Sequence, residues 1–321
     1  MNGNQSRREF LKVLPALATV PLAAQGGAGE PLLDFHQHSL YVGRTHDQLL
    51  AHQAEHRVST TVLLPGEGWM FPEPAWAPLF KAPASALPIL GGNRDCAALQ
   101  SQYPDKFVRF TSSDAAESRS VDVLRGNILR GARGIGEMKY HVAVDSPEMH
   151  RIYQLADEMH VPVLIHFEFE TYNTGLERFA AVLKKYPKVN FIGHAQTWWG
   201  NISADLNPLD LYPKGPVKPG GLTDKLLSDY PNIHGDLSAG SGLNALTRDP
   251  EFARAFLQRH SRKLIWGSDC PCHDGKGAGF AGGKCIAAES LAALRELVPD
   301  PASLRRMRFE NGAQLLGLKR K

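Results

Sequence analysis

The chain has 321 residues, of which 43% are hydrophobic and 21% are charged, and these values exclude a disordered, collagen-like or coiled-coil protein. The formal net charge is only +3, from 36 basic and 33 acidic residues, so the composition predicts no nucleic-acid partner. Four cysteines are too few for a small disulfide-stapled scaffold. The composition therefore indicates a globular protein built around a hydrophobic core.

The first 30 residues are predicted to be an export signal that is not part of the fold. The pair Arg7–Arg8 precedes Phe10–Lys12 and an apolar run of 12 residues, 13–24. A membrane-spanning helix needs about 20 apolar residues, so this run predicts no stable membrane span. A charged start and a short apolar run are typical of a signal peptide, and the paired arginines resemble the bacterial twin-arginine signal. The resemblance implies recognition by the twin-arginine export machinery and a periplasmic or secreted protein.

The next feature is a series of eight short runs rich in Val, Ile and Leu, which are predicted to be buried strands. The predicted strands are Pro31–His38, Thr60–Pro65, Phe107–Thr111, Ala132–Lys139, Val161–His166, Val189–His194, Asn232–Ser238 and Lys263–Asp269. Helical patterns follow most of these runs. The clearest are His46–His56, Val121–Arg130, Pro147–His160, Leu176–Tyr186, Pro250–His260 and Ala287–Leu297.

The alternation of strands and helices predicts an α/β fold with parallel strands. Eight such units are what a (β/α)8 TIM barrel requires, and no low-complexity linker divides residues 31–321. The sequence therefore predicts a single barrel domain over 31–321. A doubly wound open sheet is the alternative, but it would usually have fewer strands and a glycine-rich turn after the first.

Two long loops follow the second and sixth predicted strands, at Gly66–Gly92 and Ala195–Gly220. They contain four of the five tryptophans, including Trp69, Trp198 and Trp199. Loops that follow the strands of a barrel stand on its catalytic face, so these three side chains are predicted to bind substrate. The alternative is that the aromatic side chains only anchor the long loops.

Polar side chains stand where several predicted strands end, at positions that usually hold apolar or turn residues. In a barrel these carboxyl ends meet at one mouth, and nitrogen and oxygen ligands together suit zinc or a similar divalent metal. Two of the histidines are two residues apart and so project to the same face of the first strand. The predicted metal ligands are His36, His38, Glu137, His166, His194 and Asp269.

Several of these segments resemble a known family. His36–His38, Asn190–His194, Leu264–Asp269 and Asn311–Ala313 are similar to recurring motifs of the amidohydrolase superfamily, in particular its amidohydrolase-related branch. The resemblance covers nearly all of 31–321. It implies a TIM barrel with one or two divalent metal ions per chain, most often Zn²⁺, and it leaves the substrate open.

The resemblance also implies roles for the strand-end residues. His36 and His38 would bind one metal. His166 and His194 would bind a second metal, or His166 would complete the first site while His194 transfers protons. Asp269 would contact the metal and accept a proton from the attacking water.

The fourth strand offers two candidates for a metal ligand. Members of the family bridge two metals there with a carboxylated lysine or with a glutamate. Glu137 and Lys139 both lie on the inward register, and we predict that Glu137 is the bridging ligand and that two metals bind. The alternatives are an ion pair between these two residues and a single metal assisted by His194.

The predicted function is hydrolysis of an amide, ester or lactone bond in a small molecule. A non-hydrolytic decarboxylase of a small carboxylic acid is the alternative, because this branch of the superfamily contains such enzymes. A binding protein that has lost the chemistry would not need both a metal and a base, so the set of ligands argues against it. The sequence leaves open whether the chain forms a homo-oligomer.

Three of the four cysteines follow the eighth strand. Cys270 comes directly after Asp269 and should point away from the metal. In an oxidising compartment a disulfide between Cys272 and Cys285 would close a loop of about 14 residues and contribute about 3 kcal/mol. We predict this disulfide from the spacing of the cysteines and from the compartment.

Overall fold

All eight predicted strands form in the computed structural model, which describes residues 30–67, 90–279 and 282–318. Each lies within its predicted range and is shorter at one or both ends. The strands are β1 (Leu33–Gln37), β2 (Thr60–Leu63), β3 (Phe107–Arg109), β4 (Ile135–Met138), β5 (Val163–His166), β6 (Phe191–His194), β7 (Ile233–Asp236) and β8 (Leu264–Ile265).

The strands are all parallel and follow one another in chain order. One sheet has the order β1-β2-β3 and the other β4-β5-β6-β7-β8. Backbone hydrogen bonds join the sheets on both sides: the Thr111 N–H donates to the Gly134 carbonyl over 3.0 Å, and the Asp269 N–H donates to the His36 carbonyl over 2.8 Å. The predicted (β/α)8 barrel is confirmed.

The six predicted helices form as well, and the structure adds six others. Leu176–Tyr186 begins as a 3-10 turn, Leu176–Arg178, before it becomes regular. The helices are α1 (His46–Glu55), α2 (Asn93–Gln102), α3 (Ser120–Leu129), α4 (Pro147–Met159), α5 (Phe179–Lys185), α6 (Ala195–Gly200), α7 (Leu222–Asp229), α8 (Ala239–Thr247), α9 (Pro250–Arg259), α10 (Ile286–Leu297), α11 (Pro301–Arg305) and α12 (Asn311–Leu315).

Two of the three helices that begin with proline were predicted from the sequence, and they show how local sequence fixes a helix start. The Ser146 side chain accepts a hydrogen bond from the Met149 N–H at the start of α4, and the Asp249 side chain does the same for Phe252 in α9. Proline is well suited to the first helical position because it needs no N–H partner there. These signals explain why the predicted starts of both helices are correct.

A layer of apolar side chains from the strands supports the carboxyl ends of the barrel. Phe35, Phe110, Leu164, Ile192 and Ile265 belong to one buried cluster. Three of these strands end directly above this layer in polar residues. The apolar layer therefore removes the strand-end side chains from water on one side, which strengthens electrostatic interactions among them.

The predicted signal peptide, residues 1–30, lies almost wholly outside the described residues and stays a prediction. From residue 31 onward the chain forms one compact unit. Trp69 also lies outside the described residues. Within the described ranges, none of the helices is both long and apolar enough to cross a membrane.

Candidate metal centre

The end of β1 brings two imidazoles together. The Nε2 atoms of His36 and His38 are 3.2 Å apart, and both side chains are buried. Nδ1 of His36 donates to the Asp236 carboxylate over 2.7 Å, and Nδ1 of His38 donates to the Leu64 carbonyl over 2.7 Å. Both Nε2 atoms are then acceptors whose lone pairs face each other. Two facing lone pairs repel each other unless a proton or a metal ion lies between the two nitrogen atoms. The two imidazoles are therefore suited to binding a metal.

Glu137 lies between two pairs of histidines. Its Oε2 is 3.5 Å from Nε2 of both His36 and His38. Its Oε1 is 2.5 Å from Nδ1 of His166 and 3.6 Å from Nε2 of His194. One carboxylate oxygen therefore faces each pair, which is the arrangement that a bridging ligand needs.

Asp269 completes the strand-end cluster, by which we mean His36, His38, Glu137, His166, His194 and Asp269. Its Oδ1 lies 3.4 Å from Nε2 of His38, and its Oδ2 lies 3.9 Å from Nε2 of His36 and of His194. Its side chain is 12% exposed, more than any other in the cluster. Its Oδ1 accepts no hydrogen bond from the described residues. Asp269 therefore combines a buried acceptor atom that has no hydrogen bond with the most exposed side chain of the cluster.

The electrostatics of the strand-end cluster favour ionised carboxylates. Burial alone would lower the pKa of His36, but the carboxylates of Asp269 and Asp236 outweigh it and hold this pKa well above 6.5. Burial would raise the pKa of Glu137, but His166 and His36 hold it well below 4.5. The carboxylates thus demand positive charge, which a divalent cation can supply in place of histidine protons.

A further carboxylate of the site, which the sequence pattern did not indicate, is that of Asp236 at the end of β7. This buried carboxylate contacts Nδ1 of His36 at 2.7 Å and Nδ1 of His194 at 3.2 Å, and it accepts a hydrogen bond from the Ser238 hydroxyl over 2.8 Å. The available signal was its position at the end of a buried strand. His234, two residues earlier on the same strand, is a half-buried imidazole whose pKa is lowered to about 4 by burial and, to a smaller extent, by the charge of Lys263.

The structure also settles where the side chains around His166 lie. Nε2 of His166 is 3.0 Å from Oε2 of Glu168, a second carboxylate that was not predicted. The Lys139 amino group lies 5.0 Å from the centroid of the Tyr172 ring, whereas Glu137 faces the histidines. The geometry therefore places Glu137, and not Lys139, between the histidines.

Tyr41 is a further residue that the sequence did not indicate. Its ring centroid lies 5.0 Å from that of His38. Burial raises the pKa of Tyr41 well above 10, and the charges of Asp269 and Glu137 raise it further. The phenol therefore stays protonated beside the strand-end cluster and can donate a hydrogen bond.

The structure does not bring Trp198 and Trp199 to this cluster. Both indoles are buried in the hydrophobic core, and Trp198 packs on Phe167 with ring centroids 6.0 Å apart. A Cβ atom on Gly193 would collide with the Trp198 ring, and Gly193 faces the opposite side of β6 from His194. The indoles therefore pack behind the barrel wall, as the loop-anchoring alternative expects.

The predicted disulfide does not form, since all four cysteines are free. The sulfur near Cys285 is that of Cys270, at 3.8 Å. The Sγ atom of Cys272 lies within 4.8 Å of that of Cys285 and accepts a hydrogen bond from the Gly277 N–H over 3.0 Å. Spacing along the chain does not show which of these neighbouring sulfurs come into contact.

The chain is similar to a known protein family and to several solved structures. The family described as amidohydrolase matches residues 89–318. No curated protein matches the chain. The similar solved structures share little sequence with this chain, so they support the fold alone.

Three of these structures illustrate the likeness. A probable 2-pyrone-4,6-dicarboxylic acid hydrolase from Acinetobacter baumannii is 15% identical, with 89% of this chain and 99% of that chain covered and a TM-score of 0.55. A 2,6-dihydroxybenzoate decarboxylase from Rhizobium is 13% identical, with 90% of this chain and 99% of that chain covered and a TM-score of 0.54. A dihydroorotase from Campylobacter jejuni is 16% identical, with 94% of this chain and 88% of that chain covered and a TM-score of 0.56.

Proposed function

Because this chain belongs to the amidohydrolase family, we propose that it is a metal-dependent hydrolase of an amide, ester or lactone bond in a small molecule. The observation that carries the proposal is the pair of facing Nε2 atoms of His36 and His38, 3.2 Å apart, beside the carboxylates of Glu137 and Asp269. Burying two unpaired nitrogen acceptors costs free energy, and a bound metal would offset that cost.

The strand-end cluster has ligands for two divalent metals, and Zn²⁺ suits its nitrogen and oxygen atoms. His36 and His38 face one oxygen of Glu137, and His166 and His194 face the other. Asp269 lies nearest to His38, at 3.4 Å. A bound divalent metal would lower the pKa of water towards neutrality and would polarise a carbonyl group. We propose that Glu137 is shared between the two sides.

Asp269 is proposed to accept the proton from the attacking water and to return it to the leaving group. Burial would raise its pKa, but His36 and His38 lower it, so the group is a carboxylate at neutral pH. It is also the most exposed member of the cluster. Burial and the charge of His36 lower the pKa of His194, which keeps that imidazole neutral and able to bind a metal.

The test is a substrate panel on the metal-loaded protein. Release of acid from amides, esters or lactones, lost on metal removal and in Asp269→Asn, is the expected result. Release of carbon dioxide from aromatic carboxylic acids without any hydrolysis would replace this proposal with the decarboxylase alternative, and a 2,6-dihydroxybenzoate decarboxylase is among the similar structures. Equal activity with and without metal would contradict both.

We also propose that the protein leaves the cytoplasm by the twin-arginine route. The support is the Arg7–Arg8 pair before a short, proline-interrupted apolar run. Replacing both arginines by lysine should retain the protein in the cytoplasm, and the exported form should begin near residue 25–31. Unchanged periplasmic yield of the double variant would contradict the proposal.

A further inference from the structure

Three cysteines and a histidine converge behind the loop that carries Asp269. They come from separate segments: His52 lies in α1, Cys270 and Cys272 follow β8, and Cys285 precedes α10. All four side chains are buried, and one ligand atom from each lies within 4.8 Å of the others. We call this set the thiol cluster. None of its members belongs to the strand-end cluster.

The distances within the thiol cluster suit a tetrahedral metal. Sγ of Cys285 lies 3.8 Å from Sγ of Cys270 and 3.7 Å from Nε2 of His52. Tetrahedral zinc, with bonds of about 2.3 Å to sulfur and about 2.0–2.1 Å to nitrogen, keeps its ligand atoms about 3.6–3.8 Å apart. We propose that the thiol cluster binds an additional, structural metal ion, most suitably Zn²⁺, through three thiolates and one imidazole.

Hydrogen-bond donors stand beside two of the sulfurs and favour thiolates there, while the Cys272 thiol also donates to Oδ1 of Asp274 over 3.3 Å. The Gly277 N–H donates to Sγ of Cys272 over 3.0 Å, and Nε2 of His56 lies 3.3 Å from Sγ of Cys285. Gly277 has a φ of +108°, and a Cβ atom there would come within 2.4 Å of the Gly283 backbone. The tight turn therefore needs glycine and holds its N–H towards the sulfur, as outer-shell donors do in metal sites.

A buried arginine beside the thiol cluster needs the negative charge that this site would supply. Arg44 is fully buried, and its guanidinium donates to the carbonyls of Cys270 and Cys272 over 2.8 and 3.0 Å and to that of His38 over 2.9 Å. Among the described residues, none of its hydrogen bonds reaches a carboxylate. A buried charge is costly unless it is compensated, and three thiolates around a divalent cation carry a net charge of −1.

The position of the thiol cluster gives the metal a supporting role. Cys270 follows Asp269 directly, and Arg44 connects the two cysteine carbonyls to the carbonyl of His38. A metal held by the cluster would fasten the loop after β8 to α1. Binding would release the protons of the three thiols into solvent, and no oxidant or reductant is needed.

Cobalt provides a direct test on the whole protein. The full chain, kept reduced and loaded with Co²⁺, should show the thiolate-to-cobalt charge-transfer absorption of a tetrahedral site, which the nitrogen and oxygen ligands of the strand-end cluster cannot produce. Cys285→Ser should lose this band and bind one metal fewer per chain. Cys96→Ser is the matched control, because Cys96 is a buried cysteine outside the thiol cluster and its replacement should leave the band intact.

The unmodified protein alone can overturn the proposal, so the test does not depend on a variant that folds. Absence of the charge-transfer band in reduced, cobalt-loaded protein would contradict it. So would a disulfide between Cys270 and Cys285, found by peptide mapping of protein isolated without reductant. Retention of the band by Cys285→Ser would contradict the proposed ligand set.

Discussion

The Asp236 carboxylate accepts a hydrogen bond of 2.7 Å from Nδ1 of His36. This contact fixes the imidazole tautomer, so that the lone pair of Nε2 points towards His38 and Glu137. The same Asp236 oxygen lies 3.2 Å from Nδ1 of His194. One buried carboxylate thus orients a histidine on each side of Glu137, and His36 and His194 hold its own pKa low although burial opposes this.

Asp236→Asn should weaken metal binding about 10–100-fold, because outer-shell partners of ligating histidines contribute at this level. Competition with a chelator measures the effect. Asp224→Asn is the matched control: Asp224 also pairs with an imidazole, that of His260 at 2.6 Å, but it lies outside the strand-end cluster. Equal metal affinity in the two variants would show that Asp236 does not orient the ligands.

Tyr41→Phe should leave the metal content unchanged and lower kcat by about 10²-fold, because it removes a donor beside the site of reaction. Tyr153→Phe is the control, since its buried hydroxyl donates to the Val144 carbonyl, away from the cluster. Steady-state kinetics on the substrate found in the panel give the result. Unchanged kcat for Tyr41→Phe would remove this residue from the site.

Trp198→Ala should lower the free energy of unfolding by about 3–5 kcal/mol, because the indole fills the core behind β6. Denaturant titration measures this loss, and the bound metal should be retained. The sequence predicted a substrate contact at this position. Weaker substrate use with unchanged stability would restore that interpretation.

The half-buried His234 should make stability depend on pH. Burial lowers its pKa to about 4, below the value near 6.5 in the unfolded chain. The unfolded state therefore takes up the proton first, and the contribution is full above pH 6.5 and is lost as the pH falls towards 4. His234→Gln should remove about 1–2 kcal/mol of this dependence.

Thermal unfolding of both proteins between pH 7 and pH 4 separates this effect from other titrations, because the rest of the chain is identical. The difference in Tm between wild type and variant should shrink as the pH falls. A difference that is constant over this range would show that His234 has the same pKa in the folded and unfolded states.

Much of the fold and of the strand-end cluster could be predicted because parallel strands are apolar along their length and polar only at their ends. His166 and His194 are examples, since each ends a strand that is otherwise apolar. Asp236 could not be assigned in this way, because one carboxylate at a strand end has no sequence signal that separates a partner of histidine from an ordinary polar residue.

The tryptophans and the thiol cluster show a second limit. Trp198 lies just after a strand and was expected at the mouth, but helix α6 turns its side chain behind the wall. His52 and Cys285 are 233 positions apart, and only the closed barrel brings them together. Contacts of this kind depend on how loops and helices pack, which local patterns do not determine.

The central claim is that the strand-end cluster holds the metal at which the reaction occurs. Anomalous diffraction at the zinc edge, from crystals of the zinc-loaded protein, tests it most directly. The account predicts one peak about 2.0–2.2 Å from Nε2 of His36 and His38, and a second beside His166 and His194. A single peak at His36 and His38 would reduce the centre to one metal. No peak within bonding distance of these four histidines would contradict the claim.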